Sequence, residues 1–220
     1  MKICVLMPSF NEEKTVGVLV AAVKRLGFDV LVVDDGSKDG TAGQARESGA
    51  DILVNDKNLG KGAALRRGFT ALAERPYDAV VVMDADGQHL PKDLRGFVDL
   101  YSKDRPGVIV GNRMANPKGM PWIRRLTNAV MSTLISWKCG QHIPDTQCGF
   151  RLIDVALLKK MRLATDNFEI ESEILLEAAE NGFKIASVSV ATVYEGQTSA
   201  IHPVKDTARF FRFILSRRRR

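Results

Sequence analysis

Asp84, Asp86 and Gln88 follow directly on an apolar run, Ala79-Val80-Val81-Val82-Met83, and present oxygen donors to whatever lies beyond it. Two carboxylates so close in sequence repel each other unless a cation lies between them. Hard oxygen donors suit Mg²⁺ or Mn²⁺, and such an ion usually keeps positions open for the oxygens of a substrate diphosphate. The plainer alternative is an Asp-Gly turn with Asp86 as an exposed helix cap, and Asp-x-Asp alone does not decide between the two. The run carrying the acids is β-branched and bounded by polar residues. It predicts a central parallel strand that delivers them to the edge of an open α/β sheet where ligands collect.

Three earlier runs end in the same way. Lys2 to Met7 reads as a strand stopping at Pro8 before Ser9-Phe10-Asn11-Glu12, Phe28 to Val33 as one ending at Asp34-Asp35, and Ile52 to Val54 as one ending at Asn55-Asp56. Amphipathic helices separate them, through Val16 to Leu26, Thr41 to Ser48, and Ala63 to Leu72. The order β-α-β-α-β-α-β predicts a parallel sheet with right-handed crossovers, whose polar tips converge on one edge. There Asp34 or Asp35 can accept hydrogen bonds from a nucleobase or ribose. Lys61, opening a helix after Gly60, can add a cation and backbone N–H donors. Gly60-Lys61-Gly62 lacks the spacing of a Walker loop, and Pro8-Ser9-Phe10-Asn11 stands where a dinucleotide fingerprint would be, which argues against an NAD enzyme.

The second half of the chain is less regular. A helix is expected from Leu90-Pro91 to about Tyr101, a strand over Gly107 to Gly111, and a helix after Pro121 with Ile123, Leu126, Val130, Leu134, Ile135 and Trp137 on a broad apolar face. Core packing and a membrane interface both fit that face. Asp145 to Ile153 is a polar loop entering a strand. Helices over Val155 to Met161 and Phe168 to Asn181 and a last strand over Lys184 to Val193 follow. Residues 203–220 form a basic amphipathic helix ending in Arg217 to Arg220, readable as a membrane-surface element or as a docking helix with a solvated end.

At 220 residues, with 45% hydrophobic residues, the chain suits a single domain with a substantial core. The net charge of +6 favours an acidic partner, but part of it is the terminal arginine run, which weakens a nucleic-acid reading. Cys4, Cys139 and Cys148 are widely spaced and indicate neither a disulfide framework nor a zinc site. No stretch is long and apolar enough to span a bilayer, and Met1 leads straight into a strand, so a cytoplasmic location is expected.

Taken together, Pro8-Ser9-Phe10-Asn11-Glu12, Val32-Val33-Asp34-Asp35-Gly36-Ser37, Asn58-Leu59-Gly60-Lys61-Gly62 and Met83-Asp84-Ala85-Asp86-Gly87-Gln88-His89 resemble the family 2 glycosyltransferases of GT-A fold. Gly111-Asn112-Arg113 and Asp145 to Arg151 resemble the branch that makes polyprenyl-phosphate (dolichyl-phosphate) mannose or glucose. The resemblance implies an α/β GT-A domain over residues 1–202, followed by the basic helix of 203–220. It implies a nucleoside pocket lined by Pro8, Asn11, Glu12 and Asp35, with Asp34 in support, and further substrate contacts from Phe10, Lys61 and Ala85. Asp84, Asp86 and Gln88 would hold Mg²⁺ or Mn²⁺ against the diphosphate, with Asp86 at the reacting centre. Arg113, Arg124 and Asn128 would hold the acceptor phosphate, and Arg151 is a further candidate. Where the branch shows Gly-Glu-Ser-Lys, this chain has Gly196-Gln197-Thr198-Ser199, leaving His202 or Lys205 to supply the missing charge.

The expected reaction is an inverting transfer of a hexose from a nucleoside diphosphate sugar to a polyprenyl phosphate. It would take place at the cytoplasmic face of an anionic membrane, with room for a membrane-embedded partner subunit and no nucleic-acid partner. A soluble glycosyltransferase acting on a saccharide hydroxyl is the alternative; it needs a carboxylate base, for which Asp145 or Glu171 comes first. A non-catalytic nucleotide-binding module is the third reading, against which the intact Asp84, Asp86 and Gln88 speak. A sugar-nucleotide pyrophosphorylase would need a Gly-rich signature near the first strand, which is missing.

Overall fold

The computed structural model describes residues 1–117, 119–191, 210 and 212–214. Among them, seven strands form one sheet: β1 (Ile3–Ser9), β2 (Asp29–Asp34), β3 (Asp51–Val54), β4 (Ala79–Val82), β5 (Val108–Asn112), β6 (Arg151–Asp154) and β7 (Ile185–Ser189). Their order is β3-β2-β1-β4-β6-β5-β7. The first four are parallel, as the alternation of strands and helices predicts. β6 runs antiparallel between β4 and β5, while β5 and β7 are parallel to each other, so the sheet is mostly and not wholly parallel.

The central strands are buried on both faces. Val5, Leu6 and Met7 of β1, Val32 and Val33 of β2, and Val80 and Val81 of β4 are all fully enclosed. Helices cover them: α1 (Val16–Arg25) packs on α2 (Thr41–Glu47) and β2, and α3 (Lys61–Ala73) lies along β1 and β2. The register of β1 continues through Pro8 to Ser9, opposite Val33 and Asp34, past the expected stop. Pro8 is tolerated because its nitrogen, like the Leu6 carbonyl that takes Met83 N–H, faces the β4 side, and the pairing with β4 has already ended at Leu6.

The helix after Leu90 begins as a 3₁₀ turn at Pro91–Asp93 and continues as α4 (Leu94–Asp104), beyond the expected end at Tyr101. α6 (Val155–Leu158) is shorter than expected, and α7 (Ile170–Glu180) is close to its expected span. β7 starts at Ile185 and ends at Ser189, four residues before the expected Val193.

α5 (Trp122–Cys139) is the unusual element. It buries Asn128, Met131, Ser132 and Ile135, and turns Trp122 (72% exposed), Ile123, Leu126, Val130 and Trp137 (61%) outward. Of the two readings of its apolar face, core packing therefore holds only for the narrow stripe around Met131 and Ile135. Near the C-terminus the opposite holds: Phe210 and Ile214 are buried in the core, and Lys138 of α5 donates to the Ile214 carbonyl. Those two apolar residues face the protein and are not available to a membrane. Arg217 to Arg220 lie outside the described residues. Among the described residues no helix is long and apolar enough to cross a membrane.

Candidate active site

The strand order reverses between β1 and β4, since β2 and β3 lie on one side of β1 and β4 on the other. In open α/β sheets the crevice beyond such a reversal is where ligands bind. β1 ends there at Ser9 and β4 leads there into Asp84. The Asp84–Gln88 loop is tied down from three directions. The Asp84 N–H donates to His89 Nδ1 at 3.2 Å, the Gln88 N–H donates to Asp86 Oδ1 at 2.9 Å, and the Thr15 hydroxyl donates to the Ala85 carbonyl at 2.6 Å. His89 is buried and stacked on Phe150 with ring centroids 4.9 Å apart. Burial lowers its pKa, and as a neutral ring accepting at Nδ1 it fixes the first turn of the acidic loop. His89 was absent from the expected site; its place in the sequence, directly after Gln88, was the available signal. Ala85, expected at the substrate, is 2% exposed and acts through this backbone bond.

Asp84 and Asp86 differ in their electrostatics. Burial would raise the Asp84 pKa, but the Lys61 ammonium, 2.7 Å from Oδ1, brings it below the ordinary value. Asp86 is raised, first by burial and then by the charge of Asp84. Glu12 is raised too, by burial and by Asp86, Asp39 and Asp84, so the tips of β1 and β4 do share one acidic region. Among the described residues no three His, Cys, Asp or Glu side chains form a metal cage. Two carboxylates and the Gln88 amide oxygen, with the remaining positions left to a substrate's oxygens, match the way Mg²⁺ and Mn²⁺ are usually held, so the residues present fit such an ion.

Lys61 is where the expectation needs correction. Its ammonium lies between Asp84 and Glu171, 2.8 Å from Glu171 Oε1. The helix N-terminus it opens is already used, since Gly62 N–H donates to the Asp166 carbonyl at 2.7 Å and Ala63 N–H to the same atom at 3.3 Å. Those two N–H groups are not available to a phosphate. Gly60, at φ +97°, is needed because a Cβ there would come within 2.4 Å of that carbonyl.

After β1, Phe10 (42% exposed) and Asn11 are exposed and Pro8 is half-buried. Asn11 adopts φ +56°, held by its N–H to Ser37 Oγ at 2.8 Å and by its Oδ1, which accepts from Lys38 N–H. The two aspartates turn inward. Asp34 is 2% exposed and accepts from Ser37 N–H. Asp35 accepts from Asn55 Nδ2 at 2.7 Å, Leu59 N–H and Gly60 N–H at 2.8 Å. Asp35, 3% exposed, therefore fixes the turn into α3. Ser9, which the sequence does not single out, has a buried Oγ with no hydrogen-bond partner among the described residues.

Beyond β5, Arg113 is gripped by Asp145: Nε meets Oδ2 at 2.8 Å, Nη2 meets Oδ1 at 2.9 Å, and Arg113 N–H also donates to Oδ2. Asn128 of α5 donates to Asp145 Oδ1 at 2.8 Å and accepts from Ser132. Asp145 is completely buried; burial raises its pKa, but the bonds from Arg113 and Asn128 outweigh that and leave it below the ordinary carboxylate range. It is thus an anchor for Arg113 and unsuited to be a general base. Asn128, 3% exposed, belongs to the same anchor. Arg124 sits half-buried on the first turn of α5.

Arg151 is likewise corrected. It is 1% exposed and donates to three main-chain carbonyls, those of Cys148 (2.7 Å), Thr146 (2.7 Å) and Glu171. Burial lowers its pKa, partly offset by Glu171. It stitches the 145–150 loop to α7 and binds no substrate in this position. Lys205 and His202 lie outside the described residues.

The mixed seven-stranded sheet, with its order reversing beside the acidic loop, has the GT-A fold. The chain belongs to glycosyl transferase family 2, whose profile matches residues 4–162. It is 29% identical over 200-odd residues to the UDP-N-acetylglucosamine–dolichyl-phosphate N-acetylglucosaminyltransferase of Methanococcus voltae, covering 87% of this chain and 86% of that one. It is 28% identical to the polyprenol monophosphomannose synthase of Mycolicibacterium smegmatis, covering 84% and 75%. Among solved structures it matches glucosyl-3-phosphoglycerate synthase from Mycobacterium tuberculosis in complex with Mn²⁺, uridine diphosphate and phosphoglyceric acid. That match has a TM-score of 0.74 and 19% identity, covers 98% of this chain and 76% of the other, and is a likeness of fold.

Proposed function

We propose that this enzyme transfers a hexose from a nucleoside diphosphate sugar to a polyprenyl phosphate, with inversion at the anomeric carbon, while seated on a membrane surface at its cytoplasmic face. One observation carries the reading: Asp145 joins Arg113, at the crevice, to Asn128, on the buried side of the helix that turns Trp122, Ile123, Leu126, Val130 and Trp137 to solvent. An anion-binding arginine and an outward apolar face are thereby fixed to each other, as an acceptor with a phosphate head and a hydrocarbon tail requires. The relatives named for dolichyl-phosphate and polyprenol substrates support the same acceptor class.

Asp84, Asp86 and Gln88 would hold a Mg²⁺ or Mn²⁺ ion, which when bound offsets the negative charge growing on the departing diphosphate. Phe10, Asn11 and Pro8 would receive the nucleoside. Arg113, held in orientation by Asp145, would present its guanidinium to the acceptor phosphate, and Arg124, on the first turn of α5, would be a second ligand for it. A phosphate oxygen attacks the anomeric carbon as the bond from that carbon to the diphosphate breaks, and the bonding pair leaves with the nucleoside diphosphate. The acceptor is already anionic, so no base is needed. That suits a site in which Asp145 is buried against Arg113 and Glu171 is bonded to Lys61.

The test is transfer of labelled hexose from GDP-mannose, UDP-glucose and related donors into an organic-extractable product, using short polyprenyl phosphates. A lipid-linked product with one donor supports the reading. Transfer only to sugar hydroxyls, with no lipid product from any donor, overturns it.

A further inference from the structure

Lys61 is held more tightly than a cation waiting for substrate needs to be. Its side chain is 15% exposed and its ammonium bridges Asp84 at 2.7 Å and Glu171 at 2.8 Å. Glu171 is itself fixed, because Arg151 donates to its main-chain carbonyl and lies 3.9 Å from its Oε2. The 165–166 loop closes over the start of α3, and the Phe168 ring lies 5.8 Å from the ammonium. Gly149 permits this approach. A Cβ there would stand 2.6 Å from Asp84 Oδ2, 3.0 Å from Lys61 Nζ and 3.2 Å from Glu171 Oε1. Residues from four segments thus converge to place one ammonium on a carboxylate of the metal-type loop.

That carboxylate already has a counter-charge before any substrate arrives. A divalent ion approaching Asp84 in the free enzyme meets an ammonium bonded to one of its intended ligands, and like charges at such separation oppose each other strongly in a partly buried site. A nucleoside diphosphate brings several negative charges to the same place and offsets the ammonium.

We propose that Lys61, shared between Asp84 and Glu171, is a resident counter-ion that weakens the free enzyme's hold on a divalent cation and so couples the binding of metal to that of nucleoside diphosphate. Lys61 is in this sense a positioning residue for the order of assembly, over and above any contact with phosphate. By linkage, the factor by which nucleotide tightens the metal equals the factor by which the metal tightens nucleotide. The inference rests on the metal reading given above for Asp84, Asp86 and Gln88.

The test is Mn²⁺ binding, followed by the electron paramagnetic resonance signal of the free ion, with and without saturating UDP or GDP. For the wild type, nucleotide should tighten Mn²⁺ by about ten-fold or more. Lys61→Met should bind Mn²⁺ without nucleotide about ten-fold more tightly than the wild type, and its coupling factor should shrink toward one. Glu171→Gln, which leaves the ammonium to Asp84 alone, should weaken nucleotide-free Mn²⁺ binding, and it serves if Lys61→Met does not fold. Nucleotide-free affinity that is unchanged or lower in Lys61→Met, or unchanged in Glu171→Gln, overturns the inference and leaves the metal reading standing. No Mn²⁺ binding by the wild type with either nucleotide overturns both.

Discussion

Asp145 holds Arg113 through both of its carboxylate oxygens, at 2.8 and 2.9 Å, and is itself wholly enclosed. A buried carboxylate that has already committed both oxygens to a guanidinium orients that guanidinium and is a poor proton acceptor. Asp145→Asn should lower stability by about 3 kcal/mol, the usual scale when one partner of a buried pair is removed. Because the folded-state pKa of Asp145 is depressed, its contribution is present above the unfolded carboxylate value, about 3.9, and is lost as pH falls through the folded one. Denaturant melts across pH should therefore show a gap between wild type and variant that is constant near neutrality and narrows in acid. A gap that stays the same down to the lowest pH at which both fold would contradict the assignment.

Arg151 satisfies three main-chain carbonyls from a position that is 1% exposed. Arg151→Met should remove the guanidinium's bonds to them and cost about 3 kcal/mol or more, measured by urea unfolding. Were Arg151 a substrate ligand, the same change would weaken acceptor binding and spare the fold.

The outward face of α5 is predicted to hold the enzyme at the bilayer. Leu126→Glu together with Trp122→Ala, both at exposed positions, should change stability by no more than about 0.5 kcal/mol and sharply reduce co-sedimentation with anionic vesicles. Unimpaired vesicle binding by the doubly substituted protein would remove α5 from the membrane account.

Ser9 Oγ has no partner in the free protein, so Ser9→Ala removes an unsatisfied hydroxyl and should leave stability equal or up to about 1 kcal/mol higher. Nucleotide binding, read by calorimetry, should weaken if the hydroxyl finds its partner on the ligand. A variant that is destabilised would show that the hydroxyl is already satisfied.

Much of the half of the sheet around β1 and β4 is legible in the sequence because local pattern specifies it. A β-branched run ending in Asp84 and Asp86 is a strand tip, and strands joined by helices bring such tips to one edge. The half around β5 and β6 is less so. The antiparallel insertion of β6 between β4 and β5 depends on partners far away in the chain, and periodicity does not report those. For the same reason Arg151, Asn128 and Asp145 look like exposed polar candidates in sequence. Only their burial shows them to be an internal frame, with Arg113 the member directed by it. α5 carries the reverse lesson. Its apolar residues suit either a core or an interface until the fold shows which of them are covered.

The most direct measurement is transfer of hexose to a short polyprenyl phosphate by the wild type, by Asp86→Asn, and by wild type stripped with EDTA and then resupplied with Mn²⁺. Product is expected from the wild type, with a loss of about a hundred-fold or more in Asp86→Asn and in the stripped enzyme, and recovery of the stripped enzyme alone when Mn²⁺ returns. Full lipid-linked product from Asp86→Asn and from the stripped enzyme would contradict that expectation.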